Sequence, residues 1–290
     1  MTAHCARVKR ARPLLGTLVE IEIDGTHEAI LHRAAADAFD AVERVHSLMS
    51  FHSETSDVTR LNRNAHHAPV EVDPHTWKVL GLAGRVAQAT QGEFDVTIGG
   101  IMMERNALPR MTTGTLDRAA SFRDVELLPG NRVFFRRALA IDLGGIAKGY
   151  AIDCAVDALR ARGQLSGSVN AGGDLRVFGT TAVPVQIRSP IHPSQIGATA
   201  TLRDAALATS ARYSPSSGLA VCGLILRPRT SAAPRRLRSA SVRAVTCALA
   251  DALAKAVFLM RENSASVLTQ FGASGFLLSN DGLRVIGGQS

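Results

Sequence analysis

The spacing of apolar residues changes between Thr17 and Met49, and that change limits the folds open to the chain. In "TLVEIEID", residues 17–24, Val19, Ile21 and Ile23 alternate with Glu20 and Glu22. A period of two buries one face of a strand and leaves the other to water. Immediately afterwards Leu31, Ala34, Ala38, Val42, Val45 and Met49 recur at three- and four-residue spacing, the stripe of an amphipathic helix. A second helix is punctuated at both ends, with Asp73 placed to cap, Pro74 in the first turn, Trp77, Leu80, Ala83 and Ala87 on one face, and Gly92 beyond its end. Pro129-Gly130-Asn131 turns "VELLPGNRVFF" into a hairpin, and Asn280-Asp281-Gly282 does the same for "FLLSNDGLRVI". Short strands are expected at "GSVN", "VPVQIR", "ATATL", "LAVCGLIL" and "ASVRAV", with helices over 248–260 and 264–271. Strand pairs and helices are mixed rather than strictly alternating, which favours an α+β architecture of mixed sheets with packed helices. No Pro/Gly-rich linker, repeat or low-complexity tract interrupts the chain, so it reads as one domain, 1–290, with its core over 12–288.

Several function classes fall away. No apolar run approaches the roughly 20 residues needed to span a bilayer. The opening "MTAHCARVKRARPLLGTLVEIEI" has basic residues but no apolar core of a signal peptide, so a cytoplasmic location and no membrane partner are expected. Cys5, Cys154, Cys222 and Cys247 lie far apart without a C-x-x-C pair, so neither a zinc site nor a disulfide framework is suggested. A formal charge of +8 invites an anionic partner. The densest basic stretch, "RPRTSAAPRRLRSASVR" over 227–243, offers no aromatic rings for base stacking and has the composition of a solvated loop. Nucleic acid is not the expected partner.

Two glycine bends carry the chemistry. In "AIDLGGIAKGYAIDCAVDALRARG", residues 140–163, a strand "LAID" runs through Gly144 and Gly145 into a helix. Bare backbone beside a helix N-terminus attracts anions. Lys148 adds a mobile ammonium, and Asp142 can accept hydrogen bonds from a ligand or help organise a cation. The spacing is neither a Walker A loop nor a G-x-G-x-x-G fingerprint. In "VNAGGDLRVFG" a second strand leaves through Gly172 and Gly173, flanked by Asn170, Asp174 and Arg176. "GEFDVTIGG" adds Phe94 as an aromatic face and Asp95 and Thr97 as polar groups. Together these segments suit a ligand with flat rings and phosphates.

The residues resemble those of the ApbE-type FAD:protein FMN transferases. Matching segments run in family order: "LLGTLVEIEI", "MSFHSETSDVTRLN", "GEFDVTIGG", "IDLGGIAKGYAIDCAVDAL", "GSVNAGGDLRVFG", "ALATSARY" and "SVRAVTCALADALAKAV". The resemblance implies a single-chain fold related to the T-fold with a cleft for FAD. It also implies a Mg2+-assisted reaction in which a Ser or Thr hydroxyl of an acceptor flavoprotein attacks the FMN phosphorus and AMP leaves. By position, Leu15 stands where the family usually has a Met against the flavin. Phe94, Asp95, Asp142, Lys148, Asn170, Gly172, Gly173, Asp174 and Ile225 match cofactor-binding positions. Gly145 and Asp251 match the metal site, and Asp251, Lys255 and Asp142 the catalytic one. No Ser-His-Asp or Cys-His constellation is found, and phosphoryl transfer needs none, since it depends on positioning and charge neutralisation.

Departures from the pattern are as informative. In "ADALAKAV" Lys255 stands where the family has a Thr that helps hold the metal. A protonated ammonium has donors only and cannot ligate Mg2+. Asp251 and Lys255, four apart with the acid first, make either a helix ion pair or a cation that takes over part of the metal's role. In "LILRPRTS" the family's His falls on Leu224, its Asp on Arg227 and its Gly on Ser231, while Ala211 replaces a common Gly. Arg227 is a candidate to grip a phosphate. Three readings follow: an FMN transferase, a noncatalytic FAD-binding or flavin-delivery protein, and an FAD pyrophosphatase giving FMN and AMP.

Overall fold

The structure, a computed structural model, describes residues 6–110, 114–163, 165–192, 194–212, 225–228, 238–279 and 282–287. Its strands are β1 (Ala6–Leu14), β2 (Thr17–Gly25), β3 (Val70–Glu71), β4 (Val125–Leu128), β5 (Arg132–Phe135), β6 (Ser166–Ala171), β7 (Asp174–Phe178), β8 (Val183–Arg188), β9 (Ile196–Leu202), β10 (Ala205–Arg212), β11 (Arg238–Ala244), β12 (Ser274–Ser279) and β13 (Gly282–Ile286). Its helices are α1 (Glu28–Met49), α2 (Asp57–Asn64), α3 (Pro74–Ala89), α4 (Gly99–Glu104), α5 (Ala147–Arg160), α6 (Cys247–Met260) and α7 (Ala265–Gln270). Among the described residues no helix is long and apolar enough to cross a membrane. The elements gather into two compact units, one from the described parts of Met1–Arg44, Lys148–Cys222 and Arg236–Ser290, the other from Val45–Ala147 and Gly223–Arg235.

The first unit is built on an eight-stranded sheet in the order β1-β2-β6-β7-β10-β11-β12-β13, antiparallel at every step. Val19, Ile21 and Ile23 of β2 are fully buried, as the period-two alternation requires. The basic "ARVKRARPL" is an edge strand: Arg7 meets Glu22 and Asp24, and Lys9 meets Glu20. Charges along an edge discourage further strand pairing. Helix α6 packs on β10 and β11. Ala248, Ala250, Ala252, Ala254 and Ala256 are buried in it, and Ala206, Ala208 and Ala240 are buried in the strands. Small residues on both sides let the backbones approach, and a helix apolar on most of its surface belongs inside a core. Strands β8 and β9 form a separate ribbon, whose Ile187, Ala200 and Leu202 pack with Val177, Leu207 and Leu278.

The second unit carries the small sheet β3-β5-β4 and helices α2, α3 and α4. Ser56 caps α2 by accepting from the Thr59 N–H at 3.1 Å. Asp73 caps α3 by accepting from the His75 N–H at 2.8 Å, with Pro74 at the first position. The buried carboxylate of Asp57 ties the two helices, accepting from the Asp73 N–H (2.9 Å) and the Thr76 hydroxyl (2.7 Å).

One strand expectation is corrected, and another lies mostly outside the described residues. "LAID" carries no regular structure and pairs with no strand. The Asn62 side chain takes the place of a neighbour, donating to the Ile141 carbonyl (3.0 Å) and accepting from its N–H (2.8 Å), while the Asp142 N–H donates to the Val96 carbonyl (2.8 Å). An apolar run has the pattern and burial of a strand without specifying who completes its hydrogen bonds. "LAVCGLIL" lies mostly outside the described residues, and Ile225 and Leu226 carry no strand. The turn residues Asn280 and Asp281 also lie outside them, although β12 and β13 pair as expected. Asn62→Ala would orphan both polar groups of Ile141, a buried residue. A loss of about 2 kcal/mol is expected, read as a lower urea midpoint.

Candidate functional site

Residues 144–146 form the predicted turn, with the N–H groups of Ile146 and Ala147 donating to the Leu143 carbonyl. Gly145 lies within it. The anion that the following helix N-terminus holds is an internal one. The Gly149 N–H, in the first turn of α5, donates to Oδ2 of Asp251 on α6 at 3.1 Å. The exchange is mutual, because Asp153 of α5 accepts from the Cys247 and Ala248 N–H groups that open α6, both at 2.8 Å. Each helix thus places a carboxylate on the positive end of the other. Asp153 also pairs with Arg176 of β7 at 2.7 Å, both side chains being nine-tenths buried. Burial pushes the Asp153 carboxyl above its usual range, against the pull of Arg176 and the two amides. Burial, with Asp153 and Asp251 nearby, also raises the Cys247 thiol well up, so it is no nucleophile.

The predicted lysines sit on predicted acids. Lys148 pairs with Asp174, a buried carboxylate whose Oδ1 also accepts from the Thr209 N–H at 3.0 Å. The expectation of a mobile ammonium is corrected by that partner. Lys255 pairs with Oδ1 of Asp251 and also donates to the Asp251 carbonyl at 3.3 Å. Asp251 is 1% exposed, and both of its carboxylate oxygens are engaged. Mg2+ asks for a near-octahedral set of oxygens, and among the described residues no group of three His, Cys, Asp or Glu could hold a metal ion. Asp251 as arranged here does not fit the dication.

The second glycine bend is the β6–β7 hairpin turn. Gly172 and Gly173 have φ of 61° and 99°, the left-handed region that glycine enters without penalty. A Cβ at Gly172 would meet the Thr17 hydroxyl at 2.8 Å, whereas one at Gly173 would meet open space. Asn170 holds the turn by accepting from the Gly173 N–H at 3.0 Å. A cavity of about 830 Å³ is lined by Asn170, Gly172 and Gly173 together with Thr17, Arg188 and Thr209. Leu15 sits in the β1–β2 turn at φ 57°, a left-handed conformation that costs an L-residue about 1–2 kcal/mol. Such strain concentrates at ligand-binding positions.

In the second unit Asp95 caps the short helical turn Val96–Ile98. Its Oδ1 accepts from the Thr97 N–H (2.8 Å) and hydroxyl (2.7 Å), and its Oδ2 from the Phe122 N–H (3.0 Å). Burial raises its pKa, and these bonds and Arg123 oppose the rise. Asp95 lines a cavity of about 480 Å³ with Thr97, Arg118, Phe122, Arg123 and Ala140. Asp142 accepts from the Gly144 N–H at 3.1 Å. Phe94, expected as an aromatic face, is 5% exposed, so most of its ring is packed inside. Ile225 is half-buried without regular structure. Arg227 pairs with Glu93 at 2.6 Å, while Leu224, Ser231 and 229–237 of the basic stretch lie outside the described residues.

Sequence reasoning missed Asp153 and Asn62, and placed Arg176 beside the second glycine bend without its partner. The signal for Asp153 was an acid one turn from Gly149 among Ile152, Val156 and Leu159, all buried. A charged group on an apolar face needs a partner, but no local pattern names a strand arginine as that partner.

The sequence model of the ApbE family matches residues 15–275. A relative from Rhodobacter capsulatus named FAD:protein FMN transferase is 28% identical over 302 residues, covering 97% of this chain and 57% of its own. One of the same name from Treponema pallidum is 28% identical over 303 residues, covering 93% and 83%. The chain therefore spans little more than half of the first relative's length. Among solved structures, the ApbE protein of Thermotoga maritima has a TM-score of 0.83 at 25% identity, with 98% of this chain and 97% of that one covered. The flavin transferase ApbE of Vibrio cholerae has a TM-score of 0.80 at 24% identity, with 99% and 98% covered. These likenesses agree with the mixed α and β architecture.

Proposed function

The chain belongs to the ApbE family, and from that membership we propose that it is an FAD:protein FMN transferase. The observation that carries the reading is the continuous family match over residues 15–275, which takes in both glycine bends, Asp95 and the α5–α6 pair. In the proposed reaction a Ser or Thr hydroxyl oxygen of an acceptor flavoprotein bonds to the FMN phosphorus of FAD. The phosphoanhydride bond breaks, AMP leaves, and the hydroxyl proton is released. No covalent intermediate on the chain is needed, which agrees with the burial of Cys247.

The chain's own residues bind and orient. The bare turn at Gly173 and the Asn170 side chain that holds it offer close backbone approach to a phosphate-bearing ligand. The strained Leu15 turn is the proposed flavin contact. Asp95 fixes the Val96–Ile98 turn, to which Asp142 is joined through the Val96 carbonyl. The Mg2+ assistance implied by the resemblance does not fit Asp251, so no step passes through a metal. A second reading, FAD binding without transfer, is favoured by one observation: an ammonium already occupies Asp251.

The test mixes the purified chain with FAD and an acceptor flavoprotein that carries phosphoester-linked flavin on Thr in its mature form. Flavin fluorescence that survives denaturation of the acceptor, with equimolar AMP, is the expected result. FMN and AMP released without labelling would identify a pyrophosphatase, and FAD bound intact would identify a carrier.

A further inference from the structure

We propose that the ε-ammonium of Lys255, seated on the Asp251 carboxylate, is this chain's built-in cation for the diphosphate of its nucleotide ligand, in place of a divalent metal. The proposal rests on the flavin-nucleotide reading above and gives that site a different cation. Asp251 is enclosed, and its Oδ2 is committed to the Gly149 N–H. Its Oδ1 holds Lys255. The Lys255 side chain is 26% exposed against 2% for Asp251, so an approaching anion meets the ammonium and not the acid. Two of the ammonium's three N–H bonds are directed at the Asp251 carboxylate and carbonyl, and the third has no partner among the described residues. A protonated ammonium donates and cannot ligate, so a dication at the same carboxylate would have to displace it.

The charge balance differs from that of a metal site. Lys255 and Asp251 sum to zero, whereas a dication on one carboxylate leaves a unit of positive charge. A neutral pair attracts little from a distance and acts through a charge-assisted hydrogen bond at contact. Affinity for FAD should therefore depend on the lysine and not on divalent ions.

The test measures FAD affinity by flavin fluorescence in EDTA and in Mg2+, for the wild-type chain, Lys255→Met and Lys255→Thr. Binding of Mn2+ alone is followed by electron paramagnetic resonance. Wild-type affinity is expected to be the same in both buffers, with no stoichiometric Mn2+ binding. Lys255→Met should bind FAD about tenfold to a hundredfold more weakly in both, the loss of one charged hydrogen bond. Lys255→Thr should lose affinity in EDTA, regain it in Mg2+, and bind Mn2+. Wild-type binding that requires Mg2+, stoichiometric Mn2+ on the wild-type chain, or unchanged affinity in Lys255→Met would each overturn the proposal while leaving the flavin reading intact. No FAD binding by the wild-type chain in either buffer would overturn both.

Discussion

Gly149→Ala is expected to lower the stability of the chain by about 4 kcal/mol, from overpacking and the loss of backbone hydrogen bonds together. The added Cβ would collide with the Cys247 carbonyl oxygen and stand 2.6 Å from its carbon and 2.8 Å from the Ala248 nitrogen. All three are main-chain atoms at the start of α6, so no rotamer change relieves the contact. The helices must separate, and separation breaks the Gly149 bond to Asp251 and the two amide bonds to Asp153. Domains hold only about 5–15 kcal/mol in total, so the urea midpoint should fall sharply. Gly84→Ala is the matched control. In α3 a Cβ at Gly84 would meet nothing within 4 Å, and alanine should gain about 1 kcal/mol over glycine inside a helix. A Gly149→Ala midpoint equal to wild type would mean that the helices do not approach as described.

The difference between these two glycines marks what a sequence can disclose. Both stand in helices, and only the tertiary contact separates them. Elements whose cause is local were readable: the alternation in β2, the stripe of α1, the Asp73-Pro74 start of α3, and the turn that joins β4 to β5. Elements whose cause is remote were not. β10, "AALATSAR", has too few branched residues to announce a strand, yet it is one because α6 covers it. "LAID" has the pattern of a strand and lacks a neighbour, since Asn62 completes its hydrogen bonds. β1 reads as a run of cations because its acids belong to β2.

The candidate site divides in the same way. The bends at Gly144 and Gly172 were legible from paired glycines after extended runs, because backbone freedom is a property of the residue itself. What each bend or helix end holds was not legible. The local sequence leaves the N-terminus of α5 open to an external anion, whereas its first-turn amide is taken by Asp251, far along the chain. The sequence gives Lys148 no local partner, and Asp174 holds it. Spacing did anticipate the Asp251–Lys255 pair, the one ion pair of the set that lies within a single helix turn.

Asp153→Ala should be the other damaging substitution, costing about 3–5 kcal/mol, as expected when one partner of a buried ion pair is removed. Arg176 would be left charged and enclosed, its Nε already without a hydrogen-bond partner among the described residues, and the first two amides of α6 would lose their acceptor. The pair itself is not a large source of stability, since burial raises the Asp153 pKa despite Arg176. Its desolvation is not fully recovered. Asp153→Ala combined with Arg176→Met should therefore be milder than Asp153→Ala alone by about 2 kcal/mol, because the second change removes the stranded charge. Urea unfolding of the four proteins of this cycle measures the coupling, and simple additivity would contradict the buried pair. FAD affinity should follow the same order under conditions where each variant is folded, because Asp153 fixes the start of the helix from which Asp251 and Lys255 project. Loss of affinity equal in the single and double variants would instead assign Arg176 its own contact with the nucleotide.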